Sequence, residues 1–420
     1  MRWKLAALLC GALCLCAGAT ALASEEAQDL TAQCDFMIRH YQTPIRYFTD
    51  RSYETVAVSE TIDDSFLQIT LPEGSACGGL YIVWGDDVMP WHLLREEADG
   101  TWSVLHTGEA GGFLHQYIPL QGETARLRIV SDGEATRYLR IKELYVLGEG
   151  ETPDWVQRWQ PPAQKADLLV LSAHPDDEWI YMGGVIPSCV DAGKTVQVAY
   201  LTTADTRRRS ELLDGLWLGG VRHYPDMTSG LSDRYTTSLA DQYSYWPKGD
   251  VNRYVVTLYR RYRPDVVVTH DVNGEYGHGA HRVAADAAQK AVALAAGTEN
   301  TAGLEAYGPW EIRKLYLHLY ETGQMKMDWR VPLASFGGRT ALEIARAAFA
   351  KHVSQDDGTW EVLDEGRHDN SVFGLAFSAV GPDVTGGDFF ENLSETQEET
   401  GLVITVPEQD DIPMVIDSIE

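Results

Sequence analysis

The residue types best suited to chemistry lie in one short run, AHPDDE, at residues 173–178. Its His174 and Asp177 are three positions apart, close enough to bind one metal ion from a single turn. Imidazole nitrogens and carboxylate oxygens are common zinc ligands, and a catalytic zinc site usually takes three protein ligands and leaves one position open. The run supplies two candidate ligands, so a third must come from elsewhere in the chain.

The segment NGEYGHGAH, at residues 273–281, is the best source of that third ligand. It contains His278 and His281, which stand at positions i and i+3 and face the same side of a helical turn. Histidines at this spacing are weak support when they occur alone. Their value depends on where the fold places the segment.

Both polar segments follow apolar runs that predict buried strands. The first run, 168–171, is a continuous Leu-Leu-Val-Leu, which is typical of a strand buried on both faces. The second run spans 265–269. Ligands bind at the carboxyl ends of strands in open α/β sheets, so we expect the two polar segments to meet at one edge of a sheet.

The region 166–392 alternates predicted strands with predicted helices. This order is typical of an α/β fold with a Rossmann-like, doubly wound and mainly parallel sheet. The further predicted strands are 196–201 and 315–319, and the predicted helices are 208–218, 281–296 and 340–352.

The preceding region, 24–150, contains short strand-like runs separated by Gly and Asp turns, which predicts an all-β sandwich. Its last run, 139–148, resembles the final strand of discoidin-like and galactose-binding-like jelly rolls, so carbohydrate binding is one expected role. Trp84, Trp91 and Trp102 could stack on sugar rings or fill the core.

Other parts of the chain predict processing and connecting segments. Residues 1–23 have the basic start, apolar middle and small-residue end of a signal peptide, and 393–420 predict an acidic, flexible tail. Residues 151–165 contain three prolines and predict a linker. No other apolar stretch approaches the ~20 residues of a transmembrane helix. We therefore expect a secreted or cell-surface protein without a transmembrane anchor.

Charge and cysteine content exclude several classes. A net charge of −28 makes nucleic acid and anionic membrane surfaces poor partners. Outside the expected signal peptide the cysteines are Cys34, Cys77 and Cys189, which are too scattered for a CxxC-type zinc site. A disulfide between Cys34 and Cys77 is one possible pairing. No GxSxG nucleophile elbow occurs, so an ordinary α/β-hydrolase is unsupported. The sequence does not set the oligomeric state.

The run 173–178, together with Tyr276-Gly277-His278-x-x-His281, resembles the PIG-L/LmbE-like de-N-acetylase family, which includes enzymes that remove acetyl from N-acetylglucosaminyl-inositol compounds. Arg208-x-x-Glu211 and the run KHVSQ at 351–355 also look like patterns of that family. The resemblance covers 166–355, under half of the chain.

The resemblance implies a Zn²⁺ site with the ligands His174, Asp177 and His281. It implies Asp176 as the general base and places Tyr276 and His278 near the substrate carbonyl, where either could donate to an oxyanion. The proton that reaches the leaving amine could come from Asp176 or His278. The implied substrate is an N-acetylated sugar or glycan, from which acetate is released.

One departure from the family pattern lies between the two histidines. Some members have Pro-Asp between the two histidines where this chain has Gly279-Ala280, so a carboxylate that could tune His278 is missing. Arg208 and Asp226 are candidates for contacting polar groups of the substrate, with a surface ion pair or helix cap as the alternative. The alternative functions are a surface glycan-binding protein with an inactive deacetylase-like domain, and a hydrolase of a different amide.

Overall fold

The computed structural model describes two folded regions. The described residues are 25–60, 64–122, 124–132, 138–298, 304 and 306–393. The expected signal peptide at 1–23 lies outside them, and so does the expected tail except for residue 393.

The N-terminal region is a sandwich of two antiparallel sheets, which confirms the predicted all-β class. Its strands are β1 (Asp35–Arg39), β2 (Ala57–Val58), β3 (Phe66–Thr70), β4 (Cys77–Trp84), β5 (Trp91–Glu96), β6 (Trp102–Gly108), β7 (His115–Pro119), β8 (Arg126–Ser131) and β9 (Arg140–Gly148). One sheet has the order β1-β3-β8-β5-β6 and the other has β2-β9-β4-β7. Cys34 and Cys77 are free thiols, so the disulfide left open by the sequence is not formed.

Alternating side chains fill the space between these sheets. In β8, Leu127 and Ile129 are fully buried and their neighbours are not, which is the period of two expected of a strand with one solvated face. Trp84 and Trp91 belong to the same core, with ring centroids 5.0 Å apart. These two tryptophans therefore fill the core, while Trp102 is half-buried.

The C-terminal region is an α/β fold, as predicted. Its strands are β10 (Leu168–Ser172), β11 (Val196–Tyr200), β12 (Val266–Thr269), β13 (Lys314–His318), β14 (Gln324–Lys326) and β15 (Val372–Ser378). Its helices are α1 (Asp177–Ile180), α2 (Val185–Asp191), α3 (Thr206–Leu218), α4 (Leu239–Tyr245), α5 (Lys248–Tyr262), α6 (Gly279–Ala296) and α7 (Ala341–Phe349). The sheet has the order β11-β10-β12-β13-β15-β14, parallel except at β15. Within the described residues, no helix is long and apolar enough to cross a bilayer.

The central strand β10 is buried on both faces. Leu168 and Val170 pack into a core with α1, α2, α3 and α7, and Leu169 and Leu171 pack into a second core with α5 and α6. From β10 the chain passes to β11 on one side and returns to β12 on the other. The strand order thus reverses between β10 and β12, and ligand sites of doubly wound sheets lie outside such points.

Helix α3 connects the sandwich to the α/β region. Its Asp214 accepts hydrogen bonds from the Tyr53 hydroxyl at 3.0 Å and from the Gln157 amide at 2.6 Å. The buried Lys142 ammonium, on β9, donates to a carbonyl in the first turn of α3. The opposite side of α3 packs against α7. This helix is therefore held by both folded regions.

Candidate metal and catalytic site

The three side chains predicted to bind a metal meet at the carboxyl ends of β10 and β12. Asp177 Oδ2 lies 2.8 Å from His174 Nδ1 and 3.1 Å from His281 Nε2, and those two nitrogens are 3.2 Å apart. None of the three residues is more than 5% exposed. The reversal of strand order thus brings together ligand candidates that are 107 positions apart in the chain.

These distances fit the ligands of one small cation. Zinc bonds of about 2.0–2.2 Å place the ligand atoms of a tetrahedral ion about 3.3–3.6 Å apart, and the observed triangle is slightly tighter. Burial alone would raise the pKa of the Asp177 carboxyl, but His281 and His174 hold that pKa well below its usual value, so Asp177 is ionised as a ligand must be. Two overlapping triplets also have ligand atoms within 4.8 Å of one another: His174, His278 and His281, and Asp177, His270 and His281.

Asp176 lies beside this triangle in a strained backbone conformation. Its φ is +119°, a value that non-glycine residues rarely adopt and that persists only where the surroundings enforce it. The buried Glu178 carboxylate accepts the Asp176 N–H at 3.0 Å and stabilises this turn. Burial raises the pKa of Asp176 to about 7, with Arg208 opposing the rise and Asp177 adding to it. Asp176 can therefore exchange a proton near neutral pH.

Arg208 reaches the site from the first turn of α3. The Asp205 side chain caps this helix by accepting two N–H groups, at 2.8 and 3.2 Å, which fixes where the helix begins. The Arg208 guanidinium lies 3.2 Å from Asp176 Oδ1 and 3.3 Å from Asp233 Oδ2. The Oδ1 atom of Asp233 lies 3.4 Å from His174 Nε2, and no sequence pattern had indicated Asp233 as a residue of this site.

His278 faces the same site as a neutral ring. It is the N-cap of α6, and its Nδ1 accepts the Ala280 N–H at 3.0 Å, which leaves Nε2 to carry the hydrogen. Burial, together with the neighbouring His174 and His281, lowers the pKa of His278 to about 3. Its ring centroid is 4.8 Å from that of His174. His278 is thus a hydrogen-bond donor through Nε2 and not a source of protons at neutral pH.

Tyr276 stands next to these histidines on a short 3₁₀ turn. Its φ is +46°, a second strained backbone at this edge of the sheet. Its ring centroid lies 5.4 Å from that of His281 and 4.8 Å from that of the half-buried Trp360. Burial, with the nearby carboxylates adding to its effect, raises the pKa of the Tyr276 hydroxyl, which stays protonated and can donate.

Comparison with known proteins identifies this arrangement. Residues 169–292 match a sequence profile described as GlcNAc-PI de-N-acetylase (PIG-L), and this segment contains every candidate residue named above for chemistry. The 1D-myo-inositol 2-acetamido-2-deoxy-alpha-D-glucopyranoside deacetylase of Rhodococcus opacus is 30% identical over 207 residues, which cover 39% of this chain and 68% of that protein. The chain belongs to the PIG-L family.

A second relative is the 1D-myo-inositol 2-acetamido-2-deoxy-alpha-D-glucopyranoside deacetylase 2 of Saccharopolyspora erythraea, which is 30% identical over 178 residues. The match covers 35% of this chain and 63% of the relative, so the chain spans less than two thirds of that protein's length. For the sandwich, the family 32 CBM of Clostridium perfringens NanJ, solved in complex with galactose, shows 12% identity and a TM-score of 0.24. That match covers 29% of this chain and 97% of the module.

The departure from the PIG-L pattern at Gly279-Ala280 has a local steric cause. The Gly279 N–H donates to the Thr236 carbonyl at 2.8 Å, a bond that proline cannot make. A Cβ at Gly279 would come 1.9 Å from Thr236 Oγ1. The loop before α4 therefore requires glycine at this position. His278, for which a tuning carboxylate is missing, is oriented instead by the Ala280 N–H.

The two further runs that resemble PIG-L patterns contact each other behind the Asp176 turn. Glu211, from Arg-x-x-Glu, accepts the Ser354 N–H of the KHVSQ run at 2.9 Å. In the same run, His352 Nε2 lies 3.7 Å from Glu178 Oε1. The second run thus lies against Glu178, which holds the Asp176 backbone, and the first run contacts the second.

Asp226 does not join the site, in contrast to its predicted contact with substrate. Its carboxylate is 2% exposed and accepts the hydroxyls of Tyr254 at 3.0 Å and Tyr262 at 2.6 Å, with Arg261 at 3.6 Å. All three partners lie on α5. The structure therefore gives Asp226 a structural role, which ties α5 to the segment after α3, in place of the predicted one.

Glu275 is a fully buried carboxylate at the site that the sequence patterns did not single out. Its Oε2 lies 2.8 Å from His270 Nδ1 and 2.8 Å from His281 Nδ1, and its Oε1 lies 2.8 Å from His318 Nδ1. Burial alone would raise the pKa of Glu275, but these histidines hold it well below its usual value. One signal was available, since His270 follows the predicted strand 265–269 and His318 lies within the predicted strand 315–319.

Proposed function

We propose that this chain is an exported, zinc-dependent hydrolase that removes N-acetyl groups from an N-acetylglucosamine-type sugar or glycan and releases acetate. The matched family profile and both relatives carry names that specify deacetylation of an acetamido-glucose unit. The profile segment holds the whole candidate site, which supports the same class of chemistry here.

The observation that carries the proposal is the position of Asp176 directly beside Asp177, whose Oδ2 lies 2.8 Å from His174 Nδ1 and 3.1 Å from His281 Nε2. A metal-dependent amide hydrolase needs one carboxylate that stays ionised as a ligand and another that exchanges protons near neutral pH. Asp177 is held ionised by His281 and His174, whereas burial raises the pKa of Asp176 to about 7. Two adjacent residues meet the two requirements.

The proposed reaction uses Asp176 twice. Zinc held by His174, Asp177 and His281 would supply Lewis acidity, which acidifies water and polarises an amide carbonyl. Asp176 takes a proton from the water whose oxygen bonds to the amide carbon. When the C–N bond breaks, Asp176 returns that proton to the departing amine, and the acyl group leaves as acetate. A pKa of about 7 suits a group that acts first as base and then as acid.

Neutral donors then stabilise the charge that develops on the carbonyl oxygen. His278 offers its Nε2–H because its Nδ1 is occupied by the Ala280 N–H, and Tyr276 offers its hydroxyl. We assign the proton for the leaving amine to Asp176, since the pKa of His278, lowered to about 3 by burial and its histidine neighbours, leaves no proton to transfer.

Export is proposed from the composition of residues 1–23. N-terminal sequencing of the protein recovered outside the producing cell tests it. A mature chain that begins at Ser24 is the expected result, and retention of residues 1–23 on a cytoplasmic product would contradict it.

The activity is tested on the purified full chain by metal analysis and an acetate-release screen. The panel contains N-acetylglucosamine, N-acetylglucosaminyl-inositol and N-acetylated oligosaccharides, with Asp176→Asn as the matched variant. We expect about one zinc per chain and acetate release that the variant loses. Absence of bound metal, or equal acetate release by the variant, would refute the proposal. Glycan binding by the zinc-loaded protein with no turnover would favour the inactive, glycan-binding alternative.

A further inference from the structure

We propose that Glu275 is the positioning residue of the zinc ligand His281, which it holds with Nδ1–H towards its own carboxylate and with the Nε2 lone pair towards Asp177 and His174. The inference rests on the proposed zinc site and adds to it a residue that fixes the tautomer and direction of one ligand.

The neighbouring His270 shows which hydrogen-bonding pattern Glu275 imposes. The Ala173 N–H donates to His270 Nε2 at 2.9 Å, so the hydrogen of this neutral ring is on Nδ1 and points to Glu275 Oε2 at 2.8 Å. The His281 ring stacks on the His270 ring, with centroids 4.3 Å apart and planes 18° apart. The two stacked rings therefore present the same nitrogen to the same oxygen. His281 Nδ1 lies 2.8 Å from that oxygen as an ion-pair contact, in a direction that departs from hydrogen-bond geometry.

The second oxygen of Glu275 keeps the carboxylate from rotating. The Asp271 N–H donates to Oε1 at 3.1 Å, and His318 Nδ1 lies 2.8 Å from it. His318 is itself anchored, because its Nε2 lies 3.0 Å from the Asp369 carbonyl oxygen. Glu275, His270, His281 and His318 are all fully buried. The carboxylate is thus fixed by groups at the ends of β12 and β13, and it fixes the metal ligand in turn.

The opposite nitrogen of His281 is the one that faces the proposed metal. Nε2 lies 3.1 Å from Asp177 Oδ2 and 3.2 Å from His174 Nδ1. A histidine binds metal through an unprotonated nitrogen, and a carboxylate on its other nitrogen holds the hydrogen there and makes the ligand more basic. Loss of such a partner typically weakens metal affinity 10–100-fold.

The test is the zinc dissociation constant of the full chain, measured by competition with a chelator. Glu275→Gln keeps the shape of the side chain but removes its charge and replaces one acceptor with a donor. We expect zinc binding 10–100-fold weaker than in the wild type. Glu143→Gln is the matched control, since Glu143 is also fully buried but lies on β9 of the sandwich, and its zinc affinity should equal that of the wild type.

Each outcome separates this inference from the proposed function. A wild type that binds zinc and a folded Glu275→Gln that binds it equally well would overturn the role of Glu275 alone. A wild type that binds no zinc would overturn both proposals. Should Glu275→Gln not fold, NMR of the histidine rings in the zinc-loaded wild type decides. A proton on His281 Nδ1 that exchanges slowly with solvent supports the inference. An unprotonated Nδ1, or an Nδ1 proton that exchanges rapidly with solvent, overturns it.

Discussion

The Arg208 guanidinium lies 3.2 Å from Asp176 Oδ1, and both side chains are largely buried. The cation opposes the rise in pKa that burial imposes on Asp176. Since Asp176 must be ionised to accept a proton, Arg208 sets the pH above which the proposed base is available.

Replacing Arg208 with methionine should therefore raise the pKa of Asp176 further. More of the base is then protonated at neutral pH, so kcat/KM at pH 6.5 should fall about tenfold or more and recover partly as the pH rises. The pH profile of kcat/KM measures this shift. Arg209→Met is the control, because Arg209 is on the same helix but contacts Asp87 and not Asp176. An unshifted acid limb in Arg208→Met would show that the ion pair does not set it.

Substitution of the two adjacent aspartates, Asp176 and Asp177, should give two different phenotypes. Asp176→Asn should lower kcat by about 10²–10⁴-fold and keep the zinc content of the wild type, since it removes a proton acceptor and no ligand. Asp177→Asn should lose zinc, because it removes an ionised oxygen that lies 2.8 and 3.1 Å from the two histidine nitrogens. Metal analysis beside steady-state kinetics distinguishes them. Full zinc occupancy in Asp177→Asn would remove this residue from the ligand set.

His278→Asn tests whether this residue donates as a neutral group. Asparagine caps helices well, so α6 should remain stable, while loss of the Nε2–H donor should lower kcat about 10²-fold or more. Because the pKa of His278 is lowered to about 3, chiefly by burial, the pH profile between pH 5 and 9 should keep its shape. Disappearance of an alkaline limb in this variant would assign the leaving-group proton to His278.

Gly279 should tolerate a side chain only when Thr236 is replaced by a smaller residue. A Cβ at Gly279 would meet Thr236 Oγ1 at 1.9 Å, so Gly279→Ala should destabilise the fold by about 1–3 kcal/mol. Adding Thr236→Ala removes that oxygen and should recover part of the loss. Unfolding free energies of the two single variants and the double variant form the test, with a non-zero coupling energy expected. Strict additivity would contradict the proposed contact.

Asp226→Asn should act on stability and not on substrate binding. The buried carboxylate accepts two tyrosine hydroxyls from α5, and replacing it with an amide leaves these groups poorly matched, at a cost of about 1–3 kcal/mol. KM and kcat of the folded fraction should equal those of the wild type. A change in KM with unaltered melting temperature would restore the substrate contact expected from the sequence.

The convergence of the candidate metal ligands was predictable because its signals are local and its position follows from a topological rule. The apolar run of β10 and that of β12 each end in polar residues, and parallel strands bring their carboxyl ends to one edge. Knowing only that both runs were strands was enough to bring the segment 173–178 together with the segment 273–281, and the resemblance to the PIG-L family then singled out His281 as the ligand. The sandwich class was also predictable, since strands such as β8 alternate buried and less buried residues.

The rest depends on partners that no local pattern reveals. Glu275 gained its position from His318, 43 residues later in the chain, and Asp226 lost its expected role to tyrosines 28 and 36 positions away. Helix α5 escaped prediction although its buried Val251, Val255 and Leu258 recur at helical spacing. For Glu275 and Asp226 the outcome was decided by packing between distant segments, whereas the signal for α5 was local.

The contact between the sandwich and α3 has a consequence for modularity. The helix that presents Arg208 to the catalytic turn is braced from behind by Tyr53, Lys142 and Gln157, all of which precede the α/β sheet. A gene trimmed to the α/β region would further expose the half-buried carboxylate of Asp214 and remove the contacts that support that helix. A different sandwich could replace this one only if it kept these contacts with α3.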